Sequence, residues 1–315
     1  MNVEQPLVSV LITSYNYGLY LREAIDSALN QTYSNTEIIV VDDGSTDNSP
    51  EIMASYGDKI IPIYKKNGGH ASAANAGYAA SQGQILCFLD SDDVWLPQKV
   101  ETVVEAFNIY PKATVVYHKV QNIDTVGTPT GQPWPPYKPI KGDISQHVAR
   151  TGGWWPFPPT TALSFSRTYM GKVMDIPEQG SKMCVDAYLA DLAPFLGEVV
   201  GIERVLSQYR IHGGNYWNDA AAEQQDVHLK RVLQDHELRV SRLNRDLALL
   251  GINIKLSLAQ HWPYQWLRYK HGVGQQENLI SLSLLALQNP WEHRLLPKLK
   301  NVALLWLGRG KLSRI

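Results

Sequence analysis

The stretch ILCFLDSDDVW, residues 85–95, runs an apolar segment straight onto Asp90, Ser91, Asp92 and Asp93. Three carboxylates within four residues repel one another, more strongly beside a low-dielectric core, so they call for a cation, a donor-rich partner or water. A hard divalent ion held through oxygen is one answer. A solvated turn or a helix N-cap, where Asp and Ser are common, is the other. Two earlier apolar runs end on polar residues in the same way. VSVLIT (8–13) leads from Thr13 into Ser14, Tyr15 and Asn16, and EIIVV (37–41) leads into Asp42, Asp43, Gly44 and Ser45.

Those runs, with KIIPIY (59–64) and QILCFL (84–89), have the β-branched apolar content of strands. Between them, LYLREAIDSALNQ places Leu21, Ile25, Ala28 and Leu29 at helical spacing, NSPEIMASY offers Ser49 as a cap before Pro50, and HASAANAGYAASQG is dense in Ala and Gly. Such a small-residue helix can lie close to a sheet or a ligand. Strands alternating with helices predict an α/β fold with a mostly parallel central sheet covered on both faces. Ligands bind such sheets beyond the carboxyl ends of the strands, so the three polar strand ends are expected to share one crevice.

Composition narrows the function classes. The chain has 315 residues and a formal net charge of −1, which argues against nonspecific binding to nucleic acid. Cys87 and Cys184 are its two cysteines; they offer no metal-thiolate spacing and fit a reducing compartment. No basic-then-apolar leader and no run of membrane-spanning length is present, so a cytoplasmic location is expected.

Taken together, VSVLITSYNYGLYLREAIDSALNQTYSNTEIIVVDDGSTD and NGGHASAANAGYAASQGQILCFLDSDDVW resemble the nucleotide-binding half of a family 2 glycosyltransferase with the GT-A fold. The resemblance covers about residues 6–115 and implies a catalytic domain over 1–215, with an acceptor half over about 116–215 and a helical accessory region over 216–315. It identifies Asp90-Ser91-Asp92 with the family's DxD element, which implies Mn²⁺ or Mg²⁺, with Asp92 as direct ligand and Asp90 at the ribose or a metal-bound water. It also implies a base pocket of Thr13, Tyr15 and Asp43, in which an aromatic face stacks on the base and a carboxylate meets a uracil or thymine N3–H. The donor is then a UDP- or dTDP-sugar. Gly68, Gly69 and the small residues from Ala71 to Asn75 would admit the ribose and diphosphate. Ala74 stands where many relatives carry Arg, leaving phosphate contact to the metal or to His70.

The acceptor half is less regular. TVVYHKV reads as a strand and TPTGQPWPPYKPIKG as a long loop, while Trp154 and Trp155 either stack on acceptor rings or pack, and Thr160 and Thr161 are acceptor-side candidates by resemblance. Inverting transfer needs one base on the acceptor hydroxyl. By resemblance the base opens the helix in MCVDAYLADLAPFLGEVVGI, where counting back from Gly197 gives Asp186, with Val185 in place of the usual Glu and Asp191 as the competing candidate. YRIHGGN (209–215) resembles the motif that closes these domains and offers His212 to the diphosphate and the metal.

Beyond Asn215, AEQQDVHLKRVLQDHELRVSRLNRDLALLGI reads as amphipathic helix. HWPYQWLRYKHG and NPWEHRLLPKLKNVALLWLGRGKLSRI mix Trp, Leu and basic residues, as interfacial membrane helices do and as docking or oligomer helices do. The expected activity is inverting transfer of one sugar to a glycan or lipid-linked glycan, with peripheral contact at the inner face of a membrane. The rival readings are a noncatalytic nucleotide-sugar-binding protein and a sugar-nucleotide pyrophosphorylase. The latter needs a Gly-rich, Arg- and Lys-bearing loop where this chain has TSYNYG.

Overall fold

A computed structural model describes residues 5–178, 185–213, 225–270, 279–289, 291 and 295–307. Cys184, Gly214, Asn215 and residues 308–315 lie outside the described residues. The chain forms two compact units, residues 1–143 with 157–215 and residues 144–156 with 216–315.

The first unit is a mixed α/β layer structure. In chain order it begins β1 (Val8–Ser14), α1 (Gly18–Leu29), β2 (Thr36–Asp42), α2 (Ser49–Ala54), β3 (Ile61–Tyr64), α3 (His70–Ala80), β4 (Ile85–Asp90), β5 (Val94–Trp95) and α4 (Lys99–Ile109). It continues through β6 (Ala113–Ile123) and β7 (Lys141–Gly142). After α5 (Ser145–Arg150), which belongs to the second unit, come β8 (Leu163–Ser166), α6 (Arg167–Val173), α7 (Val185–Leu196) and β9 (Glu198–Arg210). The sheet order is β3-β2-β1-β4-β8-β6-β9-β5, with β7 on β9. The strands from β3 to β4 are parallel, as are β6 and β9, whereas β8 and β5 run against their neighbours.

Both faces of β1 are buried, which is why its sequence does not alternate. Val8, Val10 and Ile12 meet the apolar stripe of α1, formed by Leu21, Ala24, Ile25 and Ala28. A side chain such as Ile25, once buried, stabilises by about 2 kcal/mol. On the other face, α3 lies close enough that a Cβ on Gly77 would sit 3.3 Å from Val41 and 3.4 Å from Leu11. The Ala- and Gly-rich composition of α3 therefore serves close packing on the sheet. Pro62 is tolerated because β3 is an edge strand. The strand expected over 59–64 starts only at Ile61, since Gly57–Lys59 form a 3₁₀ turn. Ser49 is the first helical residue of α2 and Asn48 holds the cap position, so the cap expected at Ser49 is displaced by one residue.

Register sets the site. Thr13 pairs with Val41 and with Asp90, and Ser14 pairs with Asp42, so the carboxyl ends of β1, β2 and β4 are level. The antiparallel pairing of Val94 with Gln208 then lays the end of β9 beside the turn that follows β4.

The second unit is helical: α5, α8 (Gln225–Leu249), α9 (Trp262–Lys270), α10 (Leu279–Gln288) and α11 (Leu295–Trp306). Gly152 and Gly153 take positive φ there, and a Cβ on Gly152 would fall 2.4 Å from the Ser257 carbonyl. The glycines thus let the 151–155 turn press against the segment before α9.

Candidate active site

Asp90 ends β4, and Ser91, Asp92 and Asp93 make the turn into β5. Asp93 is fully buried; its Oδ1 accepts the Arg210 main-chain N–H at 2.8 Å, while its Oδ2 has no hydrogen-bond partner. Burial first, then the charges of Asp92 and Asp90, hold the Asp93 carboxyl well above the usual range, against a smaller opposing pull from Arg210. Burial, then Asp92 and Asp186, raises Asp90 in the same sense. The turn therefore concentrates more negative charge than its surroundings neutralise.

His212, two residues past β9, brings Nε2 to 2.9 Å from Asp92 Oδ2. Its ring stacks on Tyr20 at 5.4 Å and meets Tyr17 edge-on at 5.7 Å. The Tyr17 phenol is pushed up to about 12 by burial and then by Asp92, Asp90 and Asp93. Tyr209 is raised further by burial, then Asp93, Asp90, Asp92 and Asp186, so its hydroxyl stays protonated. Neither tyrosine was singled out from sequence; Tyr17 lay in the TSYNYG run and Tyr209 in YRIHGGN.

Arg210 is the residue that sequence reasoning missed. It is buried, and its guanidinium donates from Nε to the Asp92 carbonyl (2.8 Å), from Nη1 to the Asp124 and Thr125 carbonyls (both 3.3 Å) and from Nη2 to Glu23 (2.6 Å), while lying 4.7 Å over the Tyr20 ring. It fastens the main chain of the acidic turn to the strand end that carries His212.

Asp186 lies in the first turn of α7, where its charge suits the helix N-terminus, and it acts electrostatically on Asp90 and Tyr209. Asp191 is fully buried within the same helix. Val185, beside Asp186, is fully buried and serves packing.

At the other strand ends, Thr13 is half-buried and Tyr15 exposes its ring beyond β1. Asp43 is engaged: Oδ1 meets Lys65 Nζ at 2.6 Å and Gly68 N at 3.1 Å, and Oδ2 meets Gly69 N at 2.7 Å. Gly68 N also reaches Oδ2 at 3.2 Å, so the roughly four acceptor sites of the carboxylate are all engaged by Lys65, Gly68 and Gly69. Asn75, expected beside the ribose and diphosphate, has its amide committed to the main chain of Ile176, accepting at Oδ1 (2.9 Å) and donating from Nδ2 (2.8 Å). Trp155 is buried and Trp154 lies 6.4 Å from His261 within the second unit, so the structure gives this aromatic pair to packing. Thr160 and Thr161 are buried in a 3₁₀ turn before β8.

Among the described residues no group of three or more His, Cys, Asp or Glu side chains is arranged so that it could hold a metal ion. The Asp92 carboxylate is a donor that suits a hard divalent cation; it is hydrogen-bonded to His212, and its charge is felt at Asp90.

The family model for glycosyl transferase family 2 matches residues 9–170. An uncharacterised glycosyltransferase of Nostoc sp. is 34% identical over 266 residues, covering 83% of this chain and 82% of that protein. The crystal structure of S. aureus TarS in complex with UDP-GlcNAc aligns with a TM-score of 0.59 at 16% identity, over 96% of this chain and 87% of that one. Mannosyltransferase PcManGT from Pyrobaculum calidifontis, in complex with GDP-Man and Mn²⁺, aligns with a TM-score of 0.53 at 16% identity, over 98% of this chain and 77% of that one. At such identities the two structures establish the fold alone.

Proposed function

We propose that this chain, which belongs to glycosyl transferase family 2 and is a glycosyltransferase, moves one sugar from a UDP- or dTDP-sugar to a hydroxyl of a glycan or lipid-linked glycan, with inversion at the anomeric carbon. The observation that carries this reading is the contact of His212 with Asp92 at the level carboxyl ends of β1, β2 and β4. Asp92, His212 and Asp90 would hold Mn²⁺ or Mg²⁺, which when bound supplies Lewis-acid stabilisation to the departing diphosphate. Mn²⁺ is present in the PcManGT complex, and its donor GDP-Man and the UDP-GlcNAc of TarS support a nucleotide-sugar donor.

The protein's own residues do the rest. Tyr15 offers an exposed ring for the base, and Asp43, whose carboxylate binds Lys65, Gly68 and Gly69, would exchange one of these donors for a base N3–H of the kind that uracil and thymine present. Asp186 takes the proton from the acceptor hydroxyl as that oxygen bonds to the anomeric carbon and the bond from that carbon to the diphosphate oxygen breaks. Tyr17 and Tyr209, held neutral by burial and then by the surrounding carboxylates, are hydroxyl donors at the edge of this site.

The test incubates the full chain with Mn²⁺ and a panel of UDP-, dTDP- and GDP-sugars, reading nucleotide diphosphate release and the rise in melting temperature that a native-state ligand produces. Release is expected with a uracil or thymine donor, and Asp186→Asn is expected to cut turnover by roughly a hundredfold or more while the donor-induced rise persists. A parent chain that binds donor but never releases diphosphate would be a noncatalytic binder. If Asp186→Asn keeps turnover and Asp191→Asn loses it, the base is Asp191.

A further inference from the structure

We propose that the outward faces of α10 and α11 form a lipid-binding surface that lays the second unit on an anionic bilayer. These helices and α9 share a core of Trp262, Trp266, Leu282, Ala286 and Leu305. Their apolar content does not end there. On α10, Ile280, Leu284 and Leu287 recur at i, i+4 and i+7 and are all exposed. On α11, Leu296 is 80% exposed and Trp306 60%, with Leu299 and Leu307 exposed between and beside them. A helix on a water-facing surface turns its charged side chains outward; these two turn outward the side chains that water favours least.

The charges complete the pattern. Neither helix contains Asp or Glu, and the charged residues of α11 are Lys298 and Lys300. At about 100° per residue, the exposed arc from Leu295 to Leu307 is apolar and the two lysines stand at its opposite margins. That is the arrangement of a helix lying in a bilayer interface, with apolar side chains among the acyl chains and lysines at the headgroups. Trp306 suits this position, because its indole N–H is already bonded to Ser283 Oγ at 3.1 Å and its ring is left free. Among the described residues no helix is long and apolar enough to cross a membrane, so the contact lies in the plane of the surface.

Charge also selects between a bilayer and a second copy of the chain. A two-fold contact through this face would bring Lys298 and Lys300 of both copies to one interface, with no carboxylate in either helix to pair them. Anionic headgroups pair both.

The experiment floats the full chain with vesicles of phosphatidylglycerol and phosphatidylcholine, and with vesicles of phosphatidylcholine alone. No sugar nucleotide is present, so the result stands apart from the transferase reading. The chain is expected to float with the anionic vesicles and to partition far less onto the neutral ones. Lys298→Gln with Lys300→Gln should lower partitioning by about five-fold per lysine. Leu296→Asp with Leu299→Asp, at positions exposed enough to leave the melting temperature unchanged, should abolish flotation. A parent chain that stays with the soluble fraction, or a Leu296→Asp/Leu299→Asp variant that floats as well as the parent, overturns the proposal. A dimer that this variant dissociates, without vesicle binding by the parent, assigns the face to a second copy instead.

Discussion

His212 Nε2 and Asp92 Oδ2 stand 2.9 Å apart although 120 residues separate them in the chain. The contact exists because β5, the first strand after the acidic turn, pairs antiparallel with the end of β9. An imidazole is thereby held against one carboxylate of a group whose other members, Asp90 and Asp93, are driven toward their neutral forms.

If this pair holds the cation, Asp92→Asn should abolish the Mn²⁺-dependent part of donor binding while leaving the fold intact, since the side chain keeps its size. His212→Gln should weaken Mn²⁺ binding by at least the roughly tenfold to hundredfold that loss of a residue orienting a metal ligand costs. Both are read by titrating Mn²⁺ against the donor-induced rise in melting temperature. Unchanged donor affinity in Asp92→Asn would remove the metal from Asp92.

Of the parallel strands, β3 is a largely exposed edge, and β1, β2 and β4 were legible because they are buried on both faces. VSVLIT, EIIVV and QILCFL therefore carry a continuous apolar signal, and polar residues mark where each stops. Asp90, Asp92 and His212 were singled out through local motifs, and Asp92 and His212 meet in space. Arg210 was not, although it lies in the quoted YRIHGG run, because its meaning comes from carbonyls at 92, 124 and 125 and from Glu23, 187 residues away. Asn75 was read toward a ligand, and its bond to Ile176, 101 residues on, lay outside the reach of any local motif. Lys99, which sequence reasoning did not single out, is fully buried over the Trp95 ring. Sequence spacing reports periodic burial; it does not report which distant backbone a polar side chain will meet.

Arg210 offers a separate test of how the site is held. Lysine is a point charge on a flexible stem and cannot reach three carbonyls and a carboxylate together. Arg210→Lys is therefore expected to cost about 3 kcal/mol of stability, in line with breaking a buried charge network. It should also weaken Mn²⁺ binding, since the Asp92 main chain loses its anchor. Urea unfolding and Mn²⁺ titration measure the two effects. Parent-like values in both would mean the guanidinium network holds nothing the site needs.

The interior beneath the site gives a prediction about acid. His118 is fully buried, with Nδ1 3.0 Å from the Lys119 carbonyl and no partner at Nε2, which makes it a neutral imidazole donating from Nδ1. Its pKa is lowered to about 3, by burial first and then by the charge of Lys99, against a smaller raising effect from the Lys119 carbonyl. Lys99 is itself buried, bonded to Ser164 at 3.1 Å, so protonating His118 would set a second cation in the same dry region. In the unfolded chain an imidazole titrates near 6.5. Between that value and about 3 the unfolded state binds a proton that the native state refuses, so stability rises with pH across this window. The contribution is complete above about 6.5 and is lost as pH falls, by about 1.4 kcal/mol per unit, or roughly 2 kcal/mol at pH 5. Urea unfolding at pH 7 and pH 5 should show this loss in the parent chain. His118→Gln, which keeps an N–H donor but cannot titrate, should show a loss smaller by that amount whatever its stability at pH 7. An equal loss in parent and variant would mean that His118 accepts its proton in the folded protein as readily as in the unfolded chain.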